Sequence, residues 1–285
     1  NNINLSISDF VNKELIQFSH ADIVRSIPSI MDGLKPSQRK VLYGCFLKNL
    51  NQEIKVAQLA GYVSEKTSYH HGEASLHSTI ISMAQNYQGS NNIPWLLPKG
   101  QFGTRLQGGN DHASARYIYT QLNSITRKIF REEDDKLLEY LYEDGYPAEP
   151  RYFIPIIPTV LINGCTGIGT GWSTSIPSYE PIQIINNVLK YINGNSMDEM
   201  LPYIYSFKGN MIKQDENHFI SRGLFSSKNG KIIISELPYR KWTNSYKEHL
   251  EKVIATNDKD WKINRYKANY TETDVHFELD IDNDS

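Results

Sequence analysis

The chain has 285 residues, net charge −2 and 39% hydrophobic residues. That is one large domain or two ordinary ones with real cores, and no stretch approaches the ~18 apolar residues of a membrane span. Cys45 and Cys165 lie far apart, which excludes a disulfide framework or a cysteine metal site and fits a reducing compartment. The sequence opens without methionine and ends on the polar "LDIDNDS", which reads as an excised fragment.

The near-neutral total hides an asymmetry. Residues 1–131 hold 14 Lys and Arg against 8 Asp and Glu, and the remainder holds 16 against 24. A basic half followed by an acidic half is the footprint of a nucleic-acid face, or of two unevenly solvated surfaces.

In chain order, Ser8 or Asp9 can cap a helix through "FVNKELIQFSHADIVRSI", with Phe10, Leu15, Phe18 and Ile23 as its apolar stripe. "PSIMDGLKP" breaks it, and Pro36 suits the first turn of a second helix. "KVAQLAGYV" and "EASLHSTIISMAQNY" read as two further helices. Short helices joined by tight turns predict a helix-turn-helix or winged-helix arrangement. "SNNIPWLLPKGQFGTRLQGGND" is irregular, and "NSITRKIFREEDDKLLEYL" reads as a helix capped by Asn123 or Ser124. Beyond Pro147, Pro150, Pro155 and Pro158, "TVLING", "GKIIISEL" and "VHFELDI" read as strands. "PIQIINNVLKYI" and "SYKEHLEKVIA" read as helices between them. The fold expected is α+β: a mainly helical first part and a mixed α/β second part.

Four groups of residues carry candidate chemistry. Lys35 and Arg39, at i and i+4, would share a helix face and could meet one run of phosphates, or form a solvated face. "YHHGE" pairs adjacent histidines whose side chains diverge, so zinc is a poor fit and a hydrogen bond to a phosphate or sugar oxygen a better one. "GIGTG" lacks the remainder of a dinucleotide fingerprint and reads as a tight loop where backbone approaches something closely. In "ASARYIYT", Arg116 precedes Tyr117 behind a glycine-rich approach. A phenol titrates near about 10, so a nucleophilic tyrosine needs a neighbouring cation, which also steadies the charge of a transferring phosphoryl group. Tyr119 would share a strand face with Tyr117, and physics alone does not choose between the two.

"SIPSIMDGLKPSQRKVLYGCF", "KVAQLAGYVSEKTSYHHGEASL", "PKGQFGTRLQGGNDHASARYIYT" and "LINGCTGIGTGWSTSIP" together resemble the breakage-reunion region of a eukaryotic-type type IIA DNA topoisomerase. The match is dense from Phe10 to Pro177 and looser to "ISELPYRKWT". "RYIYT" is similar to the eukaryotic form of the motif rather than the bacterial "RYTE". The resemblance implies a winged-helix DNA-cleavage domain over 1–154 and the first part of a tower domain over 155–285. It implies Tyr117 as the nucleophile that leaves a 5′-phosphotyrosyl link, with Arg116 assisting. Arg25, Lys35 and Arg39 match basic residues around the cleaved phosphate, and His71 matches a contact to the scissile region. Ile168 matches an apolar wedge that opens a base step, which gives the surrounding glycines the task of close approach to the duplex. Asn110 stands where the family usually has lysine. The implied partners are double-stranded DNA, a second copy of the chain, and the TOPRIM and ATPase domains of the same parent. Mg2+ and ATP would bind outside this chain, leaving it without a metal site and inactive in isolation. The implied compartment is the nucleus, or the cytoplasm if viral. The rival expectation is a non-catalytic winged-helix protein that bends DNA.

Overall fold

The computed structural model describes residues 5–143, 145–228, 230–256 and 263–281. Ser6 starts the chain's first helix by accepting the Asp9 N–H at 3.0 Å. α1 (Ile7–Asp9) runs through a π-helical stretch, Phe10–Leu15, into α2 (Ile16–Ser26). α2 ends where Ile27, ahead of Pro28, turns extended. None of these residues is fully buried, and Phe18 is 64% exposed. The apolar stripe read from the sequence therefore does not face a core of this chain.

α3 (Pro36–Leu47) begins on proline, and the Gln38 side chain accepts the Lys35 N–H at 2.9 Å. β1 (Ile54–Lys55) leads into α4 (Val56–Thr67). A tight turn with Ser68 and Gly72 at positive φ joins it to α5 (Glu73–Ala84). β2 (Leu96–Lys99) and β3 (Tyr119–Leu122) complete an antiparallel sheet of order β1-β3-β2. The helices and this sheet enclose the larger core, in which Leu42, Leu59, Leu76, Ile80 and Leu96 are fully buried.

The long helix expected from Asn123 is cut short. α6 spans only Thr126–Ile129, because Phe130 turns into the core against Trp95 and Phe153, at ring separations of 5.3 and 5.5 Å. A 3-10 turn, Glu132–Leu137, then folds Asp135 back onto Arg127 at 2.7 Å. β4 (Tyr140–Glu143) and β5 (Tyr146–Pro150) form a hairpin. The buried Lys40 ammonium fastens it, donating to Glu149 and to the Thr67 carbonyl, each at 2.6 Å.

"TVLING" is not a strand. α7 (Thr159–Ile162) is a helical turn whose Thr159 hydroxyl donates to the Asp32 carbonyl at 2.8 Å, and Val160 lies flush on Gly33. β6 (Cys165–Gly169) and β7 (Trp172–Ile176) follow as a hairpin, then α8 (Pro181–Ile192). Ile162 and Ile184 from this region close the larger core. β8 (Asn210–Lys213) and β9 (Phe219–Arg222) make another hairpin.

β10 (Leu224–Lys228), β11 (Lys231–Glu236), β12 (Ile263–Ala268) and β13 (Phe277–Ile281) build an antiparallel sheet of order β10-β11-β13-β12, with α9 (Thr243–Thr256) between β11 and β12 in the chain. α9 covers it through a second core of Leu237, Leu250, Val275, Phe277 and Leu279. The strands read in "GKIIISEL" and "VHFELDI" and the helices read in "PIQIINNVLKYI" and "SYKEHLEKVIA" stand where their patterns place them, as β11, β13, α8 and α9. Among the described residues, no helix is long and apolar enough to cross a membrane.

Candidate nucleic-acid cleavage site

Tyr117 is not on a strand. Its N–H donates to Ser114 O at 2.9 Å, closing a turn that ends just before β3. Ala115 and Ile118 point into the core, and Arg116 and Tyr117 point out, with Tyr117 71% exposed. The first turn of α4 docks on the same turn: Val56 N–H donates to Ile118 O at 3.0 Å and Ala57 N–H to Ala115 O at 3.1 Å. These bonds satisfy two amides that a helix start otherwise leaves without partners. They also bring the positive end of the α4 dipole to the tyrosine turn, where it favours anionic groups. The geometry separates the two tyrosines that the sequence left equivalent. Tyr119 belongs to β3, pairs Lys55 and Lys99 across the sheet, and has the Lys55 ammonium 5.8 Å from its ring centre.

His71 is exposed in the α4–α5 turn, its ring edge-on to Tyr69 at 5.5 Å, and the Tyr69 hydroxyl donates to Ser75 at 3.1 Å. Arg25 is exposed near the end of α2.

Lys35 and Arg39 do not share an exposed helix face, and this corrects the reading from their spacing. Lys35 is the extended residue before α3, half-buried beside a polar groove of about 850 Å3 that Ser75, Ser78, Cys165 and Arg240 also line. Arg39 is buried. Its Nε and Nη2 donate to the two Asp32 oxygens at 2.8 and 3.0 Å, and Nη2 also reaches Leu34 O at 2.9 Å. Asp32 in turn accepts the Leu34 and Phe153 N–H groups at 3.0 and 2.9 Å. This is a paired, hydrogen-bonded buried charge of the kind an interior tolerates. The signal was in the sequence, in an aspartate seven residues before the arginine.

Ile168 sits in β6 rather than in a tight loop. It pairs with Ser173, and the hairpin turns at Thr170-Gly171, with Gly171 at φ +79°. Strand alternation sends Gly167 and Gly169 to one face and Ile168 to the other. A Cβ at Gly167 would lie 2.4 Å from Ser26 O, and one at Gly169 3.2 Å from the Ile23 Cα. The glycines thus let β6 lie flat on α2, not on a duplex as expected. Ile168 is 78% exposed on the outer face, with Trp172 exposed nearby at the hairpin end. Asp22, which the sequence did not single out, secures the tip. Its carboxylate accepts both the N–H and the hydroxyl of Thr170 at 2.8 Å, and those bonds hold its pKa below the ordinary value.

Both cysteines are free. Cys45 is buried, which pushes its thiol up to about 12 and leaves it inert. Among the described residues no group of three or more His, Cys, Asp or Glu side chains could hold a metal ion.

An α+β chain that displays an arginine–tyrosine pair at a helix start and an apolar hairpin tip has the parts of a protein that handles a polyanion. The family model of the DNA gyrase/topoisomerase IV A-subunit matches residues 25–285, and the chain belongs to that family. It is 51% identical over 280 residues to DNA topoisomerase 2 of Plasmodium falciparum, covering 98% of this chain and 20% of that protein. It is 52% identical over 256 residues to DNA topoisomerase 2 of Saccharomyces cerevisiae, covering 90% and 18%. The chain therefore spans about a fifth of the length of these relatives. It superposes with a TM-score of 0.93, at 50% identity, on the crystal structure of the Plasmodium falciparum topoisomerase II DNA-binding, cleavage and re-ligation domain. That match covers 98% of this chain and 38% of the other. These relatives do not favour the rival reading of a non-catalytic DNA-bending protein.

Proposed function

We propose that this chain is the DNA-cleavage part of a type II topoisomerase. In the full-length protein it cuts both strands of one duplex, lets a second duplex pass and reseals the first. The carrying observation is the exposed Tyr117 beside Arg116, held on a turn that α4 fixes from behind. The Tyr117 phenolic oxygen attacks a backbone phosphorus as its proton leaves to solvent. The P–O3′ bond breaks and the departing oxygen takes up a proton, leaving a 5′-phosphotyrosyl link and a free 3′-hydroxyl. Religation is the reverse. Arg116 steadies the phosphoryl oxygens in both directions.

In this reading Arg25 and Lys35 meet phosphates on either side of the cut, and His71 donates to the scissile region. Arg39 contributes through Nη1, the guanidinium nitrogen engaged by neither Asp32 nor Leu34. Ile168 enters an opened base step, where stacked bases give its exposed side chain an apolar partner. Helices α3, α4 and α5 with the β1-β3-β2 sheet serve as the winged helix of residues 1–154, with a tower beginning at residue 155. Among the described residues no cluster of His, Cys, Asp or Glu side chains fits a divalent cation, and Mg2+ and ATP are assigned to the TOPRIM and ATPase parts of the parent. Two copies, each supplying one Tyr117, account for a double-strand cut, and the eukaryotic relatives suit a nuclear protein.

The test uses the full-length protein with DNA. Tyr117→Phe should abolish denaturant-resistant adducts while DNA affinity stays near that of the parent, and Tyr119→Phe should keep the adducts. Adducts that persist in the Tyr117 variant would overturn the assignment.

A further inference from the structure

The loop before Tyr117 is a closed body. The Thr104 N–H and hydroxyl donate to the two Asp111 oxygens at 2.9 and 2.5 Å, and Ala113 N–H donates to Gln101 O at 2.9 Å. It passes directly into the turn of Ser114 and Tyr117. Gln85, at the end of α5, donates to its Phe102 and Gly109 carbonyls at 2.9 and 3.4 Å, and its remaining fastenings lie in the second half of the chain, 131 or more residues away. Arg105, 6% exposed, donates through Nη2 to Glu236 at 2.5 Å and through Nη1 to Thr273 O at 3.2 Å. Glu236, 1% exposed, also accepts from the Gln88 side chain at 3.0 Å and from Leu237 N–H at 2.9 Å. The opening amides of α9 end on the same loop: Thr243 N–H meets Arg105 O at 3.4 Å and Asn244 N–H meets Leu106 O at 3.1 Å. Trp242 lies flush on Gly108, where a Cβ would fall 2.3 Å from its indole. On another side the loop borders a cavity of about 600 Å3 shared with Lys208 and Asp274, which leaves it room to shift.

We propose that the buried Arg105–Glu236 pair is the joint through which the second half of the chain sets the position of Tyr117, with Glu236 a positioning residue for DNA cleavage. The inference rests on the reading of Tyr117 as nucleophile. Displacement of the β10–β13 sheet or of α9 moves Arg105, Leu106 and Gly108 together. Asp111 and Gln101 pass that displacement to Ala113 and so to the tyrosine turn. The turn itself is pinned to α4, so the nucleophile sits between two anchors whose relative placement fixes its geometry. An error of about 1 Å at a reacting atom costs up to about 100-fold in rate, so even a slight release of the joint registers in cleavage. A simple staple between the halves would behave differently, because its loss would weaken folding, DNA binding and cleavage together.

In the full-length protein, Glu236→Gln keeps the side-chain volume and removes the charge that holds Arg105. DNA affinity and bending, the latter read by energy transfer between dyes at duplex ends, should stay within about twofold of the parent, while covalent adducts fall about tenfold or more. Trp242→Phe loosens the second fastening without burying a lone charge. It should show the same split, and it decides the matter if Glu236→Gln fails to fold. Unchanged adducts, or adducts that fall only in step with affinity and bending, overturn the joint. Tyr117→Phe is run alongside: adducts that survive in it overturn the nucleophile assignment instead, so the two failures are told apart.

Discussion

The Asp22 carboxylate accepts both the N–H and the hydroxyl of Thr170 at 2.8 Å, tying a helix near the start of the chain to a hairpin tip 148 residues later. Ser26 adds a longer bond to the same carboxylate at 3.3 Å. The tie holds the tip of β6–β7 against α2 while Ile168 projects outward. Asp22→Ala should therefore free the tip alone. Hydrogen exchange at the Thr170 amide and its neighbours should quicken, with the core amides of α3 and α5 unchanged. Equal acceleration throughout would mean that the tie supports the whole fold.

Gly167 and Ile168 are adjacent and should behave oppositely. Ile168→Ala removes an exposed side chain, so melting should hardly change, while DNA bending and cleavage by the full-length protein fall. Gly167→Ala drives a methyl group to 2.4 Å from Ser26 O. Backbone must give way there, at a cost of about 1–3 kcal/mol. Thermal melting of both variants, beside dye-pair bending, checks the contrast. A drop of several degrees in the isoleucine variant would show it to be a packing residue.

Acid should loosen the joint between the halves. Burial alone would raise the Glu236 carboxyl, but hydrogen bonds from Arg105 and Gln88 outweigh it, and the group sits below its ordinary value of 4.5. A carboxylate lowered in the folded state contributes stability that is present above its unfolded value and lost as pH falls through its folded one. The melting difference between the parent and Glu236→Gln should thus be full at about pH 6, above the ordinary value, and shrink as pH falls below 4.5 and through the lowered folded value, where the parent's carboxyl is itself protonated. A difference that stays constant over that range would show that the charge of Glu236 does not stabilise the joint.

Local signals were legible in the sequence, and long-range ones were not. Pro36 marks the start of α3 because its constraint on φ is its own property, and the periodic apolar runs of α4, α5, α8 and α9 need no distant partner. "TVLING" has the composition of a strand and folds otherwise, because Val160 and Ile162 are buried on Gly33 and the large core, a contact that overrides their strand preference. The glycines of "GIGTG" signal close approach, but what approaches them is α2, more than a hundred residues earlier. Tyr117 stands out only by motif, since its exposure depends on Ala115 and Ile118 docking on α4. The Arg105–Glu236 pair spans 131 residues and leaves no trace in spacing.

Lys35 and Arg39, which the i, i+4 spacing makes equivalent, should separate on mutation. Lys35 is half-buried, has no carboxylate partner among the described residues, and lines the groove between α3, α5 and the β6–β7 hairpin. Lys35→Ala should leave melting nearly unchanged and reduce the slope of log affinity against log salt by about 1, the signature of one lost phosphate contact. Arg39 is different, because Asp32 is almost fully buried and depends on it for two of its hydrogen bonds. Arg39→Ala strands that carboxylate in the interior, where breaking a buried pair costs about 3–5 kcal/mol. The loss should appear in melting before any change in DNA binding can be read. Replacing Asp32 by Asn together with Arg39 by Gln removes both charges at once and should recover part of that stability. If the recovered double variant also keeps the parent's salt slope, Arg39 is a strut beneath Lys35. If the slope falls by a further unit, its Nη1 reaches a phosphate in the complex.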